Sequence, residues 1–380
     1  MIKKKEIEKI FSISRLFLKK RTYLSNLAND FLFLQSTHPF HLSKYKFVNS
    51  KNINYQYMCR YFLEVFKNII KIVLFFFVLL VTKNYSNINR KLNKKNLIIS
   101  HLTNLENFKK KLDTQFFGVE SEFAKKKFIF FFLDHIKLKN KKKSKLLELR
   151  KNVFINNHCI EIYDYNKIVI NLIKEFFYIL KIAKEKNNFE KKFFLECCKN
   201  LLSLSTAKNI ILYYNLEKII IKNKIKNILI TMEGHPYEYL IFLLGKIHKI
   251  NVLAYQTSYI TNSHYSMFLN LGNNLSPTKV LANGKIGYEL LKKKFNKADV
   301  ILLGSKKFKK KITTQKKYNN LLVIPSAFEG EAFEFINNRA EELNIDASNM
   351  IKPMAIEKYI EERYLSVLHD VEVEYQLGNI

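Results

Sequence analysis

The feature that most constrains the fold is a local one. From Ile228 to Tyr239 the chain reads ILITMEGHPYEY: a short apolar run of strand type halts at Glu233, Gly234, His235 and Pro236, and a helical pattern starts at once. A strand that turns over a glycine directly into a helix is the repeating unit of an open parallel α/β sheet. Ligands of such sheets sit beyond the carboxyl ends of the strands, against helix N-termini. Pro236 suits the first helical position because its missing N–H is an orphan there anyway, and Glu238 complements the positive end of the helix dipole.

The same grammar recurs. NVLAYQ ends at Tyr255 and Gln256, KVLANG leads through Gly284 into IGYELLKKKF, and VILLGSKKF and LLVIPSAFEGE repeat the arrangement. Seven of the nine glycines lie between 234 and 330, so this scarce residue is concentrated where the backbone must turn. Upstream, NLIISHL, ending at Ser100 and His101, and FIFFFL read as two further strands. Short apolar runs separated by longer helical stretches favour a parallel sheet over an all-β sandwich. Residues 166–222 carry helical periodicity and predict a long helical insertion, while Lys137–Lys151 reads as a solvated, lysine-rich surface segment.

With 380 residues, 48% of them apolar, the chain is long enough for two cores. Its net charge of +32 invites a nucleic-acid reading, but 58 of the 65 basic residues are Lys. Base edges and phosphates are best met by the guanidinium fork, so nucleic acid is the disfavoured partner. Part of the charge is left to serve an anionic partner such as a nucleotide-linked donor or an acidic membrane face. Cys59, Cys159, Cys197 and Cys198 show no metal-ligand spacing, which fits a reduced, cytoplasmic compartment. The basic, amphipathic start lacks a secretory core and cleavage site.

The run IVLFFFVLLV, residues 72–81, is half of what a bilayer span of about 20 residues needs. A buried helix or a shallow membrane-surface contact is expected instead. His38, Pro39 and His41 lack acidic neighbours in sequence and read as a loop or helix start. Residues 331–380 hold eleven acidic and four basic residues, so the preceding 330 carry +39, and an acidic helical tail packed on a basic body is expected.

Taken in order, Glu233-Gly234-His235-Pro236-Tyr237-Glu238, then Tyr255-Gln256, Asn283-Gly284 and Leu303-Gly304-Ser305-Lys306 resemble the bacterial surface-carbohydrate (capsule and lipopolysaccharide) glycosyltransferases of GT-B type. The resemblance spans about residues 96–332 and is best defined after 228. It implies two Rossmann-like domains behind a helical, basic and aromatic N-terminal region: 1–95, an acceptor domain over 96–270, a short donor-nucleotide domain over 271–340, and the acidic tail over 341–380. It also implies a nucleotide sugar as donor substrate, with an acidic nonulosonate- or Kdo-like sugar among the candidates. The acceptor would be lipid-linked or a growing glycan, reached by peripheral contact with the inner membrane.

Sugar transfer needs a carboxylate or other base for the acceptor hydroxyl and groups that neutralise a leaving phosphate. Glu233 is the expected base, with Glu238 and His235 as further catalytic candidates. Gly284, Gly304, Ser305, Lys306, Ser326 and Glu329, together with Glu331, are the expected donor contacts. Gly118, Tyr255, Gln256 and His264 are assigned to the acceptor or the cleft. Thr257 stands where relatives tend to place His after Tyr-Gln, and His264 is the displaced substitute. No HExxH, GxSxG, DxD, GxGxxG or Walker-type motif is present, so a metal-independent reaction without a cofactor is expected. A basic nucleic-acid binder and a catalytically silent scaffold protein of a glycan locus are the alternatives.

Overall fold

The structure, a computed structural model, describes residues 4–33, 53, 55–81, 90–102, 127–135, 152–156, 162–257, 260, 265–269, 271, 275–295 and 298–304. All belong to one compact unit; the other, His38–Phe40 with Phe308–Ile380, lies outside the described residues, as do the expected strand at 321–331 and the acidic tail.

Among the described residues seven strands form one sheet: β1 (Asn96–Leu102), β2 (Phe128–Asp134), β3 (Val153–Ile155), β4 (Asn227–Met232), β5 (Asn251–Gln256), β6 (Lys279–Ala282) and β7 (Asp299–Leu302). Their order is β3-β2-β1-β4-β5-β6-β7 and every pairing is parallel. The chain therefore builds outward from β1 in one direction, then returns to lay β4 on the other side of β1 and builds the opposite way. This is the doubly wound, Rossmann-like order, with its switch point between β1 and β4.

β1 to β3 and the ends of β4 and β5 read as apolar runs because both faces are buried there, whereas the edge strand β7 is largely exposed. On one face Leu97, Ile99, Phe131, Ile228, Ile230, Val252 and Ala254 share a core with the helices. On the other, Ile98, Phe130, Phe132, Val153, Ile155 and Tyr255 pack together.

Among the described residues the helices are α1 (Lys4–Lys20), α2 (Leu24–Leu27), α3 (Tyr55–Val81), α4 (Ile162–Lys184), α5 (Asn188–Leu201), α6 (Leu204–Asn223), α7 (Pro236–Ile247) and α8 (Lys285–Lys294). The expected helical insertion is α4 to α6, the long connection that carries the chain from the edge strand β3 back to β4. Asn187 and Ser203 cap α5 and α6, each side chain accepting a first-turn N–H, and Lys224 ends α6 in the left-handed conformation.

Two expected boundaries fall inside continuous structure. β6 pairs directly with β5, Leu253 opposite Lys279, so the sheet runs across the division at 270/271. The N-terminal helices share the main core. Arg21 also forks onto the Glu175 carboxylate of α4 at 3.0 and 2.8 Å, and Asn26 donates to the same group at 2.8 Å. The apolar run at 72–81 is the last part of α3, and no helix among the described residues is long and apolar enough to cross a membrane. Cys59, Cys197 and Cys198 are free thiols.

Candidate functional site

β4 delivers its last residues to the switch point. Gly234 takes φ +86°, and a Cβ there would collide with Ser266 and the Met267 backbone, so the turn requires glycine twice over. The turn is held from beneath by Glu238. Its fully buried carboxylate accepts the N–H groups of Glu233 (2.8 Å), Gly234 (2.8 Å) and His235 (3.2 Å). Burial pushes Glu238 up to about 7 in spite of those donors. Of the three catalytic candidates, this one has the geometry of an N-terminal cap, directed into the protein.

Glu233 and His235 point the other way. Their side chains keep 29% and 31% exposure, and His235 Nε2 lies 3.4 Å from Glu233 Oε2. The other carboxylate oxygen of Glu233 accepts a hydrogen bond from the Thr257 hydroxyl. The bond from His235, with that from Thr257, outweighs burial and holds Glu233 at about 2. For His235 burial lowers the value, but the Glu233 bond and the Glu238 and Glu233 charges outweigh it and leave the imidazole raised.

A second cluster stands beside this pair. His101, next to last in β1, places Nδ1 2.6 Å from Nε2 of His135, the residue after β2. Its Nε2 lies 3.1 Å from the Thr231 hydroxyl of β4 and 3.2 Å from the Tyr237 hydroxyl of α7. The Tyr237 ring stacks on His235 with centroids 5.3 Å apart, which joins the two clusters. Burial and the neighbouring His135 lower His101 to about 4, so it is neutral around pH 7. His135 is lowered as well, chiefly by burial.

The other expected residues divide. Gln256 is buried and its carboxamide packs against Gly287 in the first turn of α8, where a Cβ would clash, while Tyr255 donates to the Gly304 carbonyl at 3.5 Å. Gly284 is the N-cap of α8 in extended conformation with open space about it. Gly304 follows β7 at φ +81°, and its N–H is already directed at the Ala282 carbonyl, 3.2 Å away. Gly118, His264, Ser305, Lys306, Ser326, Glu329 and Glu331 lie outside the described residues, as do His38, Pro39 and His41. Among the described residues no group of three or more His, Cys, Asp and Glu could hold a metal.

Sequence reasoning missed His101, His135, Thr231 and the site role of Tyr237. The usable signal was positional: His101 and His135 each stand at the carboxyl end of a strand read correctly as a strand.

The fold and the site together define a doubly wound, Rossmann-like α/β protein with a Glu–His pair and a His–His–Thr–Tyr cluster at the switch point of its sheet. No protein-family description matches the chain, and neither a curated protein nor a solved structure is detectably similar to it.

Proposed function

We propose that the chain is a glycosyltransferase that moves a sugar from a nucleotide-activated donor to the hydroxyl of a lipid-linked or glycan acceptor. One observation carries this reading. The Glu233–His235 pair is partly exposed at the strand ends flanking the switch point, where a doubly wound sheet binds its ligands.

The pair distributes the work differently from a lone carboxylate. Held at about 2, Glu233 is too weak a base to take an alcohol proton efficiently near neutrality. Its charge orients the imidazole and stabilises the imidazolium. In the proposed step the acceptor oxygen bonds to the anomeric carbon, its proton passes to His235, and the sugar–phosphate bond breaks with its electron pair leaving on the nucleotide phosphate. The neutral His101 and Tyr237, 3.2 Å apart at Nε2 and the hydroxyl, back the pair from inside the protein through the Tyr237 ring stacked on His235. Main-chain N–H groups at the start of α8 and lysines supply the phosphate's counter-charge. An acidic sugar would be matched by the same basic surroundings.

The test is a thermal-shift screen of the full chain against CMP, UDP, GDP and their sugars, followed by transfer assays with lipid-linked acceptors. Stabilisation by one nucleotide class and transfer lowered by about 10²-fold or more in both Glu233→Gln and His235→Gln support the reading. Stabilisation by none, or full turnover in either variant, overturns it.

A further inference from the structure

The outer face of α3 stands unexplained by the site. Phe62, Phe66, Ile69, Ile70, Val73 and Phe77 are 60%, 61%, 41%, 42%, 54% and 62% exposed. Their spacing of i, i+4, i+7, i+8, i+11 and i+15 draws one continuous stripe along a single side of the helix. The adjoining side is fixed to the body: Tyr61, Val65, Ile72 and Phe76 are buried, and beyond them Glu64 pairs with Lys199 of α5 at 2.7 Å and Asn68 donates to the Lys199 carbonyl at 3.1 Å. Six large apolar side chains in water along a helix of 27 residues, about 40 Å long, form a larger apolar surface than a solitary soluble molecule ordinarily exposes.

We propose that this face seats the molecule on an anionic lipid bilayer, with the axis of α3 lying in the plane of the interface. Charge selects the occupant. Leu63 and Leu74, 61% and 57% exposed, widen the stripe on one side, and at 100° per residue the exposed Arg60, Lys67 and Lys71 fall together along that margin, where their stems reach lipid and their heads reach phosphate. α4 repeats the pattern beside it: Ile170, Ile173 and Phe177 are exposed among Lys167, Lys174 and Lys181, and Tyr165 at its start meets Phe76 with ring centroids 4.4 Å apart. The net charge of +32 draws the whole molecule toward an acidic surface. A second copy is the poorer occupant, because a two-fold pairing would set the same positive margin against itself. The bonds to α5 keep the helix on the body, so the contact is in-plane. This inference stands apart from the glycosyl-transfer reading.

Flotation of the full-length protein with phosphatidylcholine vesicles, with and without about 30 mol% phosphatidylglycerol, tests it. Wild type should float with the anionic vesicles and bind neutral ones at least about tenfold more weakly. Phe66→Glu with Val73→Glu should reduce binding to anionic vesicles by about tenfold or more. Its circular dichroism and thermal midpoint should be unchanged, because both side chains already face water. If that pair of charges disturbs folding, Phe66→Ser with Val73→Ser asks the same question more gently. Wild type that stays in solution overturns the proposal. So does a folded variant that binds as wild type does, or sedimentation showing a dimer that the variant dissolves.

Discussion

Two stretches of the same sheet edge carry opposite kinds of polar surface. At the carboxyl ends of β1 and β4, side chains are wired to side chains: His101 to His135 and Thr231, Tyr237 to His101, and His235 and Thr257 to Glu233. At the ends of β6 and β7 the described polar contacts run through the main chain. Leu303 and Gly304 direct their N–H groups to the Ala282 carbonyl, and the Asn283 N–H points to the Gln256 carboxamide. The first kind of surface sets protonation states and suits chemistry. The second offers backbone at an open helix start and suits holding an anion.

The largest expected effect breaks the first region from below. Glu238→Ala removes the acceptor of three N–H groups, that of Gly234 buried and those of Glu233 and His235 partly buried, and should cost about 3 kcal/mol, a large share of a domain's stability. Urea denaturation measures it. The same carboxyl carries a pH signature. Raised from 4.5 to about 7, it holds its proton more tightly folded than unfolded. Stability from this group is therefore present below pH 4.5 and declines as pH rises toward 7, a slope that Glu238→Gln should remove. Equal slopes in both proteins would show that Glu238 does not titrate as its burial implies.

Next comes the exposed half of the same turn. Glu233→Gln should lower turnover by about 10²- to 10⁴-fold while costing less stability than Glu238→Ala, because its side chain keeps 29% exposure. Assay and denaturation on the same preparations decide it. Two glutamates five residues apart would then be separated into a working group and a supporting one.

That separation was only half legible beforehand. The turn from Glu233 to Glu238 announced itself through Gly234 and Pro236, yet nothing local distinguishes a carboxylate that faces out from one that folds back under its own turn. Six strands were legible as short apolar runs bounded by turn residues, even the largely exposed edge strand β7. Val153–Ile155 was not, since three residues after a lysine-rich stretch show no period. Strand order was equally hidden. Whether KVLA opens a new sheet or extends the old one depends on where the crossover returns, and here it returns to β5. His101 and His135 meet because β1 and β2 pair in register, His101 opposite Leu133, a relation between residues 34 apart that neither segment contains alone.

The pH–rate profile sharpens the comparison further. If His235 takes the acceptor proton it must be neutral, so kcat/KM should rise with pH through a value above 6.5, the direction in which His235 is displaced. Removing the Glu233 charge removes the bond that raises it. The acidic limb that remains in Glu233→Gln should therefore move to lower pH. A limb that stays in place would take His235 out of the base role.

The smallest effects belong to the second region, and they discriminate best between binding and architecture. Gly284 sits at φ −167°, extended backbone that alanine adopts without strain, with nothing near its missing side chain. Gly284→Ala should cost under about 1 kcal/mol of stability, the difference between two residues at an N-cap. Gly304 at φ +81° is the architectural control, where alanine costs about 1–2 kcal/mol from the left-handed conformation alone. If the donor phosphate lies on the backbone at the start of α8, the added methyl at 284 stands between phosphate and N–H. KM for the nucleotide sugar then rises severalfold while kcat holds. Unchanged KM in Gly284→Ala would move the donor away from β6, toward the wired edge where the charged side chains already are.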